Sequence, residues 1–191
     1  MTHRQWVILW VSLPLIALFG ILGWALARSG ANPGGLGVNS QFGEVAVASQ
    51  PAPNLSMTTI DGSTIDLSAL RGKVVMLDFW SSWCPPCRAE APALSQVYEE
   101  YQGRPVEFVG IAIWDKDQAI RRFVNDFNVL YPNAIDPRGR AAILYGVRGI
   151  PEKFFIDAQG NVVKKLVGPI NPDTLRRTLD ELLATTAASS L

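Results

Sequence analysis

Residues 74–90 read VVMLDFWSSWCPPCRAE: an apolar run of the kind buried on both faces of a sheet, then a Trp-Cys-Pro-Pro-Cys turn, then a helix. Pro85 stands at the expected first helical position, where a missing N–H costs nothing because that group has no intrahelical partner. Both cysteines of the chain, Cys84 and Cys87, lie here. Three residues apart at a helix start, they put two sulfurs on one face of the first turn. A thiolate at a helix N-terminus is favoured by the unpaired N–H groups and the positive end of the dipole, so Cys84 is the expected nucleophile. Cys87, one turn deeper, is the expected resolving thiol.

Working outward, a turn at Asp61-Gly62-Ser63 between short alternating segments predicts a β-hairpin within residues 54–67. After the dithiol, Ala89, Ala93, Val97 and Tyr101 recur at helical spacing, with Pro92 inside the helix removing one N–H. Val106 to Ile113 reads as a second buried strand. Lys116 to Phe127 reads as a helix with the apolar stripe Ile120, Phe123, Val124 and Phe127. A short helix around Arg140 to Tyr145 precedes Gly149-Ile150-Pro151. A hairpin follows, Lys153 to Asp157 and Asn161 to Val167, and Asn171 caps a last helix with Pro172 at its first position and Leu175, Leu179, Leu182 and Leu183 facing inward. The order is a parallel βαβ unit, a hairpin and a closing helix. It predicts an α/β fold with a mixed central sheet flanked by helices, the thioredoxin arrangement.

Asp78-Phe79-Trp80, Trp83-Cys84-Pro85-Pro86-Cys87-Arg88, Glu90, Pro92 and Gly149-Ile150-Pro151-Glu152 together resemble the thioredoxin superfamily. They are most similar to its membrane-anchored extracytoplasmic branch, the TlpA, ResA and CcmG/DsbE proteins. The resemblance runs over about residues 53 to 185. It implies a cis Ile150-Pro151 bond, with the Ile150 backbone beside Cys84 and free to pair with an extended substrate strand, and substrate contacts from Trp83, Ile150, Pro151 and Glu152. It also implies that Glu90, the glutamate of a C-x-x-C-x-x-E pattern, lies near the dithiol and raises the cysteine pKa values. Glu152 would line an acidic docking groove, although Lys153 replaces the Thr usual in that branch. Asp78 departs from the branch, which more often has Asn there, and agrees with classical thioredoxins. The implied partners are apocytochrome c or a haem-ligation chaperone as substrate, and a membrane thiol-electron carrier of the CcdA/DsbD kind as donor.

The residues themselves argue for direction. Asp78 lies within an apolar strand, where desolvation should raise its pKa and suit it to exchanging a proton with Cys87. Pro85 and Pro86 offer no N–H to the Cys84 thiolate, so the reduced form is less stabilised and the couple more reducing. Alternative uses of the pair remain. A structural crosslink closing so short a loop would restrict the unfolded chain little. Zinc would want four ligands, and the sole histidine, His3, lies beyond the apolar run, so no metal site is expected. A copper-delivery module for oxidase assembly could use two sulfurs alone. A thiol peroxidase would want proline where Leu77 stands. No cofactor beyond the redox-active cysteine pair is expected.

Lys and Arg number 17 against 17 Asp and Glu, with no basic run, which speaks against nucleic acid. Trp6 to Ala27 is 22 residues without a charge, long enough as a helix to cross a hydrocarbon core of about 30 Å. Residues 1–28 are therefore expected to be a membrane anchor, with a cleaved signal peptide ending at Ala25-Leu26-Ala27 as the alternative. Residues 29–52, rich in Gly, Asn, Ser and Ala, read as a flexible linker, or as one ordered strand at Val45 to Ala48. Residues 53–191 form the expected thioredoxin-like domain. A reactive dithiol with no other cysteine fits the outer side of the inner membrane, facing the periplasm or cell exterior, where target proteins carry disulfides.

Overall fold

The computed structural model describes residues 3–28 and 37–189 and divides the chain into two units, Met1–Leu36 and Gly37–Leu191. The first holds a single helix, α1 (His3–Arg28), with Pro14 inside it. Among the described residues, which omit several side chains of α1, no helix is long and apolar enough to cross a membrane.

The second unit begins earlier than the composition suggested. Residues 29–36 of the expected linker lie outside the described residues. Residues 37–51, however, form three short strands, β1 (Gly37–Val38), β2 (Gly43–Val45) and β3 (Gln50–Pro51). The expectation of a flexible linker is corrected here, and so is the alternative strand, which sits at residues 43–45. Gly, Ser and Ala give no side-chain periodicity, but edge pairing is made by backbone N–H and C=O groups, which every residue except Pro supplies in full.

A hairpin follows, β4 (Ser56–Thr58) against β5 (Thr64–Asp66). The central strand β6 (Val74–Trp80) has all seven residues buried and leads through the dithiol turn into α2 (Pro85–Glu100). Parallel to β6 lies β7 (Val106–Ile113), then α3 (Asp117–Asp126), and then β8 (Asn133–Asp136), parallel to β7. The short α4 (Arg140–Leu144) and β9 (Gly149–Ile150) lead to the hairpin of β10 (Glu152–Ile156) and β11 (Asn161–Val167). The last helix is α5 (Pro172–Ser189), where Asn171 Oδ1 accepts the Thr174 N–H at 2.9 Å as the capping pattern predicts. The main sheet runs β2-β11-β10-β6-β7-β8, with β3 also on β11. It is antiparallel on the β10 side of β6 and parallel on the other, the mixed sheet the sequence predicts.

Two details shape the site. The buried face of α2 carries Cys87, Glu90, Ala91, Leu94, Ser95 and Val97, not Ala89 and Ala93. The stripe starts from Cys87, and steps of three and four from it pass through Glu90 and Ala91. The C-terminal end of β6 is anchored through Trp80, whose ring stacks on Phe123 at 4.1 Å and whose Nε1 donates to Asn133 Oδ1 at 2.9 Å.

Candidate active site

Cys84 and Cys87 form a disulfide at the start of α2. Cys84 is the N-cap in extended conformation, and its Sγ accepts the Cys87 N–H at 3.3 Å. With prolines at 85 and 86, the first turn supplies no donor of its own before Cys87. The turn that delivers Cys84 is held from three sides. Ser81 Oγ donates to Ile113 O at 2.6 Å, Ser82 N–H donates to Asp115 Oδ2 at 2.6 Å, and Arg88 Nη1 donates to Ser82 O at 3.1 Å. Asp115, just past the end of β7, is a positioning residue that no motif in the sequence marks.

Beneath the disulfide lies a buried ion set that sequence reading did not assemble. Antiparallel register sets Lys153 of β10 opposite Asp78 of β6. The Lys153 side chain turns inward and is fully buried. Its Nζ stands 3.4 Å from Asp78 Oδ1 and is bonded to Glu90 Oε1. Glu90 Oε2 also accepts the Ile170 N–H at 2.8 Å, and the Tyr131 hydroxyl reaches Asp78 Oδ2 at 3.5 Å. Two carboxylates and one ammonium, if all charged, leave one net negative charge out of water. Burial therefore pushes the Asp78 carboxyl above its usual range, with Lys153 opposing. Burial likewise raises Glu90 from 4.5 to about 7, with Lys153 and the Ile170 N–H pulling it back and the neighbouring Asp78 charge adding to the rise. Glu90, raised to about 7, can thus exchange a proton near neutrality, one helical turn from Cys87.

The desolvation expected for Asp78 is present. Glu90 is not a free anion near the cysteines but one arm of an ion pair. Lys153, expected only to disturb a groove's charge, is the cation that joins the two acids. The groove itself needs correction, because Glu152 is 2 % exposed. Its Oε1 accepts the N–H groups of Arg148 and Gly149 at 3.1 and 3.2 Å, and its Oε2 pairs with Lys165 Nζ at 2.7 Å. Glu152 holds the backbone leading into Pro151 and presents no charge for docking.

The Ile150-Pro151 bond is cis. Glu152 lies opposite Phe79, so one further step along the register brings Pro151 level with Trp80, at the end of β6 that feeds the dithiol turn. Trp83 is 43 % exposed beside the buried Cys84, an apolar surface at the mouth of the site. The structure therefore gathers Cys84, Cys87, Asp78, Glu90, Trp83, Ile150 and Pro151 at one end of the sheet, and turns Glu152 to a supporting role.

A model of the AhpC/TSA family matches residues 48–165. The chain belongs to this family. Thiol-disulfide oxidoreductase ResA of Bacillus thuringiensis (strain Al Hakam) is 35 % identical over 131 residues, covering 69 % of this chain and 76 % of that protein. Among solved structures, a putative thiol:disulfide interchange protein DsbE from Chlorobium tepidum superposes with a TM-score of 0.67 at 31 % identity, over 73 % of this chain and 99 % of that one. The DsbF structure from MTB, in mixed oxidized and reduced forms, gives a TM-score of 0.62 at 35 % identity, over 67 % and 94 % of the two chains. This AhpC/TSA member is a thiol:disulfide oxidoreductase of the ResA/DsbE type, and Cys84 and Cys87 are the only sulfurs in its sequence that can pair.

Proposed function

We propose that this oxidoreductase is a reductant of protein disulfides, tethered by α1 to the inner membrane with its second unit on the extracytoplasmic side. We propose that its substrate is apocytochrome c at the cysteines that will bind haem, or a chaperone presenting it. The carrying observation is the Cys84–Cys87 disulfide at the start of α2, one helical turn from Glu90, which forms a buried ion set with Lys153 and Asp78. The tether is supported by the uncharged run Trp6 to Ala27 within one helix. The choice of apocytochrome c is supported by the resemblance to the ResA and CcmG/DsbE branch.

In the reduced protein the Cys84 thiolate attacks one sulfur of a substrate disulfide. That S–S bond breaks, a mixed disulfide with Cys84 forms, and the departing substrate thiolate takes a proton from solvent. Cys87 then gives its proton to the buried carboxylate pair and, as thiolate, attacks Cys84 Sγ. The Cys84–Cys87 bond forms, and the second substrate sulfur leaves as a thiolate that is protonated in turn. The substrate gains two electrons from the dithiol and two protons from solvent. The dithiol, starting as thiolate and thiol, loses two electrons and the one Cys87 proton, which the carboxylate pair passes back to solvent. Lys153 offsets one of the two negative charges while the pair is ionised and ready to accept that proton. A membrane dithiol carrier would return the protein to its reduced form, with electrons passing through the cysteines alone.

The turn supports this direction. Cys84 Sγ receives the Cys87 N–H at 3.3 Å while Pro85 and Pro86 offer none, so the thiolate is weakly stabilised and the reduced state gives up its electrons readily. A Cys87→Ser variant tests the substrate. It should accumulate a mixed disulfide through Cys84 with a peptide carrying an oxidised C-x-x-C-H haem site in preference to unrelated disulfide peptides. Equal trapping of all peptides would make the protein a general extracytoplasmic reductant.

A further inference from the structure

The edge that Ile150 would offer to a substrate already has an occupant. β1 runs parallel to β9, with Gly37 opposite Gly149 and Val38 opposite Ile150. Gly37 N–H donates to Arg148 O at 3.3 Å and Asn39 N–H to Ile150 O at 2.7 Å. In a parallel ladder of this register the Ile150 N–H faces the Gly37 carbonyl, so both backbone groups of Ile150 are taken up. Asn39 Nδ2 adds a bond to Pro151 O at 3.3 Å.

The approach depends on a missing side chain. A Cβ on Gly149 would stand 2.6 Å from Gly37 O and 2.8 Å from Asn39 Oδ1, too close for either to stay. Cys84, which has to be reached for exchange to begin, is fully buried.

We propose that Gly37–Asn39 is an intramolecular strap lying where a substrate strand would pair, so that the enzyme accepts an extended, disulfide-bearing polypeptide only by displacing it. This rests on the oxidoreductase reading and on Ile150 as the substrate edge. An extended backbone can replace the strap's hydrogen bonds one for one. A compact disulfide with no free strand cannot, and the strap therefore selects for unfolded polypeptide.

Two variants loosen the strap from opposite sides. Asn39→Pro removes the N–H that reaches Ile150 and the amide that reaches Pro151, while Gly149→Ala places a methyl group against Gly37 and Asn39. In the full chain Asn39→Pro should lower KM for an extended synthetic peptide with an intramolecular disulfide by about fivefold, because an occupied site lowers apparent affinity by the fraction of time it is free, whereas the Gly149→Ala methyl group would crowd a substrate backbone as it crowds Gly37 O and should not lower KM. The gain should appear in KM rather than kcat, and Asn39→Ala, which keeps the backbone N–H, should give less. Hydrogen exchange at the Ile150 amide, read on the same proteins without peptide, should be slow in the wild type and faster in both variants. If the wild type turns over and Asn39→Pro does not lower KM, the strap is overturned and the oxidoreductase reading stands. If the wild type does not turn over, that reading fails and the exchange decides the strap alone: fast exchange in all three proteins overturns it.

Discussion

Glu90 and Glu100 lie on the same helix, each paired with a cation, and their acidities move in opposite directions. Arg176 bonds Glu100 through Nε at 2.7 Å and Nη2 at 2.8 Å on the outside of the molecule, and these bonds lower the Glu100 pKa. Lys153 bonds Glu90 in the interior, and the Glu90 pKa nonetheless rises to about 7 because desolvation outweighs the attraction. On the surface water solvates both partners, so pairing only adds. In the core each charge has lost its water, and one ammonium must serve two carboxylates. An ion pair by itself therefore says little about proton chemistry. Its burial and its charge count decide whether it is a surface clasp or a proton store.

Lys153→Met should break this contrast most severely. It leaves two buried carboxylates without a cation and should cost about 3 kcal/mol of unfolding free energy at pH 8. At pH 5 both acids can take protons and the loss should be smaller. Urea unfolding at the two pH values checks this, and an equal loss at both would mean that Lys153 serves only as packing. Next in size is Asp78→Asn, which should slow resolution of the Cys84 mixed disulfide on the order of 10²-fold at neutral pH, the scale of a lost general base. Quenched-flow trapping of the mixed disulfide reads it, and an unchanged lifetime would remove Asp78 from the proton path.

Glu90→Gln sharpens the comparison through pH. A carboxyl raised from 4.5 to about 7 binds protons more tightly folded than unfolded. Its contribution to stability is therefore fully present below about pH 4.5 and is lost as pH rises through about 7. Stability measured across that window should decline in the wild type and decline less in Glu90→Gln. A parallel pair of curves would contradict the buried assignment. The smallest effect belongs to Arg176→Ala at the exposed pair, which should leave the pH dependence of stability in that window unchanged.

Much of the fold was legible because its signals are local. The run Val74 to Trp80, the proline at the helix start, the Asp61-Gly62-Ser63 turn and the Asn171-Pro172 cap each act within a few residues, and the structure places elements where they indicate. What escaped were features made by register. β8 is four residues long and holds its place by pairing with β7. β1, β2 and β3 are carried by backbone bonds to β9 and β11, which leave no mark in side-chain pattern. Lys153 is the sharpest case. A lysine next to Phe154 and Phe155 signals either an exposed edge or a buried partner, and only the pairing of β10 with β6, which sets it opposite Asp78, tells which. Glu152 was misplaced for the same reason, since its partner Lys165 is reached across the hairpin.

The proposed function requires a dithiol that gives electrons rather than takes them. The most direct test is the equilibrium reduction potential of Cys84–Cys87 in the full chain at pH 7, by titration against a dithiol buffer of known potential. A value near or below about −230 mV, at or under the range of glutaredoxins, is the result predicted for a reductant with so few donors at its thiolate. A value near about −120 mV, that of a strong oxidant whose reduced form is stabilised, would contradict it and make the protein a donor of disulfides.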